Sequence, residues 1–271
     1  MSKAKVAGVV LTLLTAGAFL LYGVFWWTVA AQISAQVDTL WVSMGAGGAK
    51  TDAEKPEPYG FPGSPAITFK GSVTEANGTI WTFPELTYRG FPIPGFRMSL
   101  ETPKGFSIQG PLFPNPIEIS EGSLFILLPR DLPQSMKVAP LRAWQQKGGM
   151  IPVEYLQIRS GDLNVLGRGH LELDENLQLA GTIDSRITGM ETMLQTLSDR
   201  GILKGQSAVM AQSFLQMLVK VDPVTNEKFF DTQIRIQKRG VFLGPLRIGY
   251  MPEILWDAAD HTTPPTGTPS P

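Results

Sequence analysis

Residues 153–189 read VEYLQIRSGDLNVLGRGHLELDENLQLAGTIDSRITG, and this stretch decides the fold class. Tyr155, Gln157 and Arg159 alternate with Leu156, Ile158 and Ser160, the period-two pattern of a strand with two different faces. Leu163, Val165 and Leu166 lead into Leu171 and Leu173. Beyond a polar turn at Asp174-Glu175-Asn176, the series Leu177, Leu179, Gly181, Ile183 and Ile187 repeats the pattern. Long apolar alternation broken only by short turns predicts a meander of antiparallel strands.

The same texture extends toward the N-terminus. Ala66 to Val73, the dipeptide Asn77-Gly78 and Thr79 to Phe83 read as a hairpin, because Asn-Gly accepts the positive φ angles of a tight turn. Short strands are expected at Glu85 to Tyr88, Arg97 to Glu101, Phe106 to Gln109, Ile117 to Ser120 and Ser123 to Leu128. Another is expected at Met136 to Ala139, followed by a turn of helix within Leu141 to Gly149. Glycine (28) and proline (22) are both frequent, as a chain of many strands and turns requires. Toward the C-terminus, Met190 to Arg200 and Ser207 to Lys220 show helical spacing that gathers Met190, Met193, Met210 and Met217, and strands resume from Phe229 to Tyr250. Methionine suits both irregular cores and adaptable apolar grooves, and the core is the simpler assignment.

In front of all this lies VAGVVLTLLTAGAFLLYGVFWWTVAA, residues 6–31, without a charge. As a helix it is ~39 Å long, enough for a hydrocarbon core of ~30 Å. The run is too long for the h-region of a cleaved signal, although Val29-Ala30-Ala31 has the composition of a cleavage site. An uncleaved anchor is therefore expected, and a mature N-terminus at Gln32 would contradict it. Lys3 and Lys5 precede the span and the next cation is Lys50, which places the N-terminus in the cytoplasm and the bulk of the chain across the inner membrane, in the periplasm. Tyr22, Phe25, Trp26 and Trp27 are expected at the headgroup level as membrane anchor aromatics. Ile33, Val37, Leu40, Trp41 and Met44 continue the helix as an apolar contact surface, for the domain's own sheet or for an interfacial or oligomeric partner. The glycines of residues 45–50 end that helix.

The expected fold class is α+β: an N-terminal transmembrane helix continuing into an amphipathic helix, then a curved antiparallel β-sheet, divisible into two similar halves, with a packed helix pair. The expected organisation is residues 1–31 as cytoplasmic start and anchor, 32–58 as amphipathic stalk and linker, 59–256 as the β-rich periplasmic domain with halves 59–150 and 151–256, and 257–271 as a disordered Pro/Thr tail.

Composition narrows the function. A net charge of −1 without any basic stripe argues against nucleic acid. The absence of cysteine removes disulfides, thiolate metal sites and cysteine nucleophiles. None of the common hydrolase, phosphate-loop or dinucleotide motifs occurs, and the only two histidines, His170 within an expected strand and His261 in the tail, argue against a histidine metal site or triad. Glu172, Asp174 and Asp184 form a conceivable carboxylate group, yet polar residues two apart are what any wet sheet face displays. No catalytic, cofactor-binding or metal-ligating residue is assigned, and no cofactor is expected.

Glycine-aromatic-proline units recur at Tyr59-Gly60-Phe61-Pro62, Gly90-Phe91-Pro92 with Pro94-Gly95-Phe96, and Gly110-Pro111-Leu112-Phe113-Pro114, and read as sheet corners. With the 167–189 segment, the helix pair and a closing Gly240 to Gly249 unit, GVFLGPLRIG, they give the chain its resemblance to a Gram-negative family of single-span, inner-membrane-anchored periplasmic proteins known only as a domain of unknown function. More distantly the chain is similar to AsmA-like envelope proteins. The resemblance implies topology and place: a non-enzymatic, membrane-bound β-rich protein serving lipid or hydrophobic-ligand binding or outer-membrane assembly. The alternative is a periplasmic scaffold that binds another envelope protein through sheet edges, stalk or corners.

Overall fold

The structure is a computed structural model that describes residues 3–46, 48–111, 113–133, 137–190, 192, 213, 219–244, 246–251 and 254. It is an α+β protein in which one long N-terminal helix precedes an antiparallel β-rich region with one further short helix. By its internal contacts the chain divides into two compact units: residues 1–125 with 157–164, and residues 126–156 with 165–271.

The first unit begins with α1 (Lys3–Ala46). The helix stops where expected, with Gly48 at φ +78° donating its amide to Gly45 O at 3.1 Å. The expected linker is shorter than its composition implies: Lys50–Ala53 forms strand β1, which pairs antiparallel with β2 (Ala66–Thr74). Open backbone next to an unpaired strand edge gains hydrogen bonds that local sequence cannot reveal. β2 turns at Asn77-Gly78 into β3 (Ile80–Gly90), as the dipeptide predicts; Asn77 Oδ1 accepts the Thr79 amide at 2.7 Å and Gly78 sits at φ +84°. β4 (Arg97–Thr102) follows on β3, then comes β7 (Glu121–Leu127). β5 (Phe106–Gly110) pairs with the far end of β3 and with β6 (Phe113–Ile119).

The meander read from residues 153–189 is formed as expected, residues 157–164 counting with the first unit and the rest with the second. β8 (Met150–Ser160), β9 (Leu163–Leu173) and β10 (Leu179–Thr188) lie side by side, and β12 (Lys228–Gln237), β13 (Gly240–Leu243) and β14 (Leu246–Tyr250) extend the series. Along β10 the alternation is kept: Ile183, Ser185 and Ile187 are buried while Asp184 and Arg186 are exposed. Gln178 is also a buried polar residue. Its side-chain amide copies a strand, accepting from Ile254 N at 2.8 Å and donating to Ile254 O at 3.1 Å, which fixes the chain after β14.

Two expectations fail here. Val138 and Ala139 are not a strand but the start of helix α2 (Val138–Gln146), whose Val138, Leu141 and Trp144 are buried, the first two in a cluster with Leu177. Pro140 in the first turn removes an amide that has no partner in a helix, so it does not oppose the helix as it would further in. Lys220–Val221, expected to end the second of the paired helices, forms strand β11 on β12. The rest of the helix pair (apart from Met190, Thr192 and Ser213) and the 257–271 tail lie outside the described residues.

Candidate functional site

The second half of α1 carries one buried stripe: Trp26, the adjacent Val29 and Ala30, Ile33 and Val37, otherwise spaced by three or four residues. Val29, Ile33 and Val37 pack with Trp41 at the helix end and with Ile67, Tyr88, Phe91 and Ile93 of the sheet and its corner. At about 1.5–3 kcal/mol for each large side chain taken from water, the stripe ties the helix firmly to β2 and β3. The expected contact surface is thus used within the chain at Ile33, Val37 and Trp41. The side chains of Leu40 and Met44 lie outside the described residues. A polar atom is caught in this packing: the Tyr88 hydroxyl is buried without a partner, and desolvation pushes its pKa up to about 12.

One turn toward the N-terminus, two of the Gly-Phe-Pro corners close on the same helix. Tyr22 Oη donates to Pro62 O at 2.6 Å, and Trp26 Nε1 donates to Gly63 O at 2.8 Å. The Phe61 ring lies against Phe19, Tyr22 and Trp26 with centroids 5.6, 6.2 and 5.6 Å away. Phe25 stacks on Phe91 at 5.6 Å, and Phe91 meets Phe96 at 5.7 Å. Both corners need glycine: Gly60 (φ +110°) and Gly90 (φ +137°) would each carry a Cβ 2.6 Å from a backbone oxygen, of Ser64 and Arg97 respectively. Of the four expected anchor aromatics, Tyr22, Phe25 and Trp26 therefore hold protein loops. Only Trp27, 69% exposed, turns fully away.

The opposite face of the helix is apolar and open. Leu20, Val24 and Trp27 are each about 70% exposed and, with Gly23, Ala31 and the Phe61 ring, line a groove of about 910 Å³.

A second apolar feature leads away from the helix end. Trp41 meets Phe69 at 6.0 Å, Phe69 meets Phe83 at 6.0 Å, and Phe83 meets Phe106 at 5.6 Å, with Trp81 stacked on both Phe83 and Phe106 at 6.4 Å. All five rings are only half-buried. Trp81 Nε1 is held by Glu75 Oε1 at 2.8 Å, which fixes the indole.

Of the carboxylates singled out by sequence, two serve the fold. Asp174 Oδ1 accepts the amides of Asn176 and Gln178 at 2.8 Å each and shapes a turn, whereas Asp184 accepts from Gln233 Nε2 at 2.9 Å across β10 and β12. His170 is a half-exposed residue of β9. Asp222 likewise serves a turn, its carboxyl lowered by the Val224 and Thr225 amides. Arg186 lies 4.0 Å over the Phe229 ring and joins Lys220 on Asp231, whose carboxyl pKa those cations lower. Among the described residues no three His, Asp or Glu side chains gather as a metal site would need. Sequence reasoning did not assign Phe61, Phe69, Phe83 and Phe106; the repeated Gly-Phe-Pro units and the aromatic alternation of β3 were the available signals.

Among the described residues one helix is long and apolar enough to cross a membrane, with Gly17–Asp38 as its qualifying stretch. No curated protein and no solved structure matches the chain. The family model described as "Uncharacterized protein conserved in bacteria (DUF2125)" covers residues 113–252, just over half of the 271, and the chain belongs to that family.

Proposed function

We propose that the protein is a non-enzymatic, single-span inner-membrane protein whose β-rich periplasmic region receives a lipid acyl chain on the aromatic row of its first unit. The observation that carries this reading is the row itself: Trp41, Phe69, Phe83, Phe106 and Trp81 run without a break from the anchor helix and stay half-exposed. An apolar surface that begins at a membrane helix offers an acyl chain a route of low desolvation cost. Retention of the anchor is supported by its place in the fold, because cleavage before Gln32 would remove Trp26, Val29 and Ala30, all buried. Orientation follows the cations at Lys3 and Lys5. The AsmA-like relation and a part in outer-membrane assembly belong to the same proposal and rest on the glycine-punctuated strands.

The test uses the full-length chain extracted in mild detergent. Native mass spectrometry should find co-purified phospholipid, and a fluorescent fatty acid should bind saturably. Trp81→Ala and Phe106→Ala, checked for an unchanged circular dichroism spectrum, should weaken that binding. Absence of both lipid and fatty-acid binding in the native chain would overturn the reading.

A further inference from the structure

The corner at Tyr59–Ser64 meets the anchor helix lower than a solvent-bathed loop should. The helix is free of charge from Val6 to Val37. A hydrocarbon core needs ~20 helical residues, more if the helix tilts. Val29, Ile33 and Val37 are covered by the sheet and its corner, so the ~20 residues left for hydrocarbon are the preceding ones, about 6–25. Phe61 rests on Phe19 and Tyr22, in the last third of that stretch, so with the N-terminus in the cytoplasm the loop shares the depth of the outer leaflet.

The loop is also built for that depth. Residues 59–69 (YGFPGSPAITF) and 90–96 (GFPIPGF) carry no charge, while exposed cations, Lys70 after the first and Arg89 and Arg97 around the second, stand where anionic headgroups would meet them. Backbone polar groups in hydrocarbon must be satisfied internally. Here Pro62 has no amide hydrogen, and its carbonyl and that of Gly63 are taken by Tyr22 and Trp26. Gly63 N donates to Gly60 O at 2.6 Å, and Tyr59 and Ala66 exchange both their backbone bonds at 2.8 Å. In water these carbonyls would need no such partners. The side chains of Tyr59 to Ser64 nonetheless face outward, with Phe61 40% exposed.

We infer that the Tyr59–Ser64 corner, with Phe61 at its tip, is inserted into the outer leaflet of the membrane that α1 crosses, making a second membrane contact whose partner is the acyl region of the bilayer lipids. The inference rests on α1 as a membrane span and is independent of acyl-chain binding on the aromatic row. It also assigns an occupant to the groove between Phe61 and the Leu20-Val24-Trp27 face: a lipid chain of the same leaflet.

The natural chain has no cysteine, so a single spin label can be placed without background. The full-length protein is reconstituted in vesicles of phosphatidylethanolamine and phosphatidylglycerol, labelled at Phe61→Cys, Ser64→Cys, Leu20→Cys or Ala76→Cys, and read for collisions with oxygen and with a water-soluble nickel chelate. Ala76 lies in the turn at the far end of β2, ~30 Å of strand away. The Phe61 label should match the Leu20 label, with high oxygen and lost nickel collisions, and the Ala76 label should show the reverse. Ser64→Cys keeps the Phe61 ring and should also lose nickel collisions relative to Ala76. Labels at Phe61 and Ser64 that match Ala76 while Leu20 stays in lipid overturn the inference alone. A Leu20 label that matches Ala76 overturns the span as well.

Discussion

Replacement of Trp26 tests whether the anchor helix is part of the folded unit or only its tether. The indole is 2% exposed, donates to Gly63 O at 2.8 Å and meets Phe61 edge-on at 5.6 Å. Truncation to alanine removes the buried ring and leaves a cavity, which costs ~3–5 kcal/mol. Within that total the hydrogen bond contributes about 1 kcal/mol and the aromatic pair about 0.5–1.5. Trp26→Phe keeps most of the packing and loses the bond. Its cost should be ~1–2 kcal/mol, since Gly63 O retains only the long 3.5 Å contact from Tyr22 Oη. For a unit of this size 1 kcal/mol corresponds to roughly 3–5 °C in Tm, so the alanine variant should melt on the order of 10–20 °C lower and the phenylalanine variant roughly 3–8 °C lower. Near-ultraviolet circular dichroism in micelles reads the melt, and chymotrypsin reads the loop, cutting after Tyr59 faster in both variants. Unchanged Tm and unchanged cleavage in Trp26→Ala would show that helix and corner do not hold each other.

Three further outcomes follow from single residues. Gly60→Ala and Gly90→Ala each force a Cβ against a backbone oxygen at positive φ, and each should destabilise the first unit by at least ~1–3 kcal/mol in a denaturant melt, whereas Gly148→Ala, strained but in open space, should cost less. Tyr88→Phe removes a buried hydroxyl that has no partner and should be neutral or stabilising by up to ~1 kcal/mol. The raised Tyr88 pKa adds a pH signature: its contribution is complete below the ordinary tyrosine value near 10 and disappears as pH rises through about 12, so an ultraviolet titration should show one late phenol that Tyr88→Phe abolishes. Asp231, lowered chiefly by its bond to Arg186, behaves in the opposite sense: its advantage over Asp231→Asn is present above the ordinary carboxylate range near pH 4 and fades as pH falls through its lowered folded value. Because the side chain is 42% exposed, that advantage should also shrink in high salt.

What could be read from sequence was what is written locally. The long helix, its glycine stop, the Asn77-Gly78 hairpin and the β8 to β10 meander depend on residues within one or two turns of each other. The helical stripe announced that Ile33, Val37 and Trp41 needed a cover, but not which strands would supply it. The misreadings have the same root. Lys50–Ala53 becomes a strand because β2 offers an edge, and Val138-Ala139 becomes helical because Leu141 and Trp144 draw that segment into a core. The corners at Gly60 and Gly90 were legible as bends, yet the bonds of the first to Tyr22 and Trp26 join residues about 40 positions apart, and these and the stacking of Phe91 on Phe25 leave no local trace. The carboxylates shared a sheet pattern, but a strand face does not choose hydrogen-bond partners, and Asp174 and Asp184 each found a structural one.

In both units the strands of the main series add in chain order: β2 beside β1, then β3 and β4 in the first, and β9 from Val165 on, β10 and β12 to β14 in the second. A chain made N-terminus first meets this order as a building sequence. The stripe of α1 is in place before β2 and β3 exist, and each later strand finds its partner's edge already formed, so the search at every step is short. Gln178 waits longest: its amide is set at the start of β10 and receives Ile254 only when the last strand has passed. A stalled or truncated chain would therefore leave a defined, growing edge rather than a scattered set of unpaired strands.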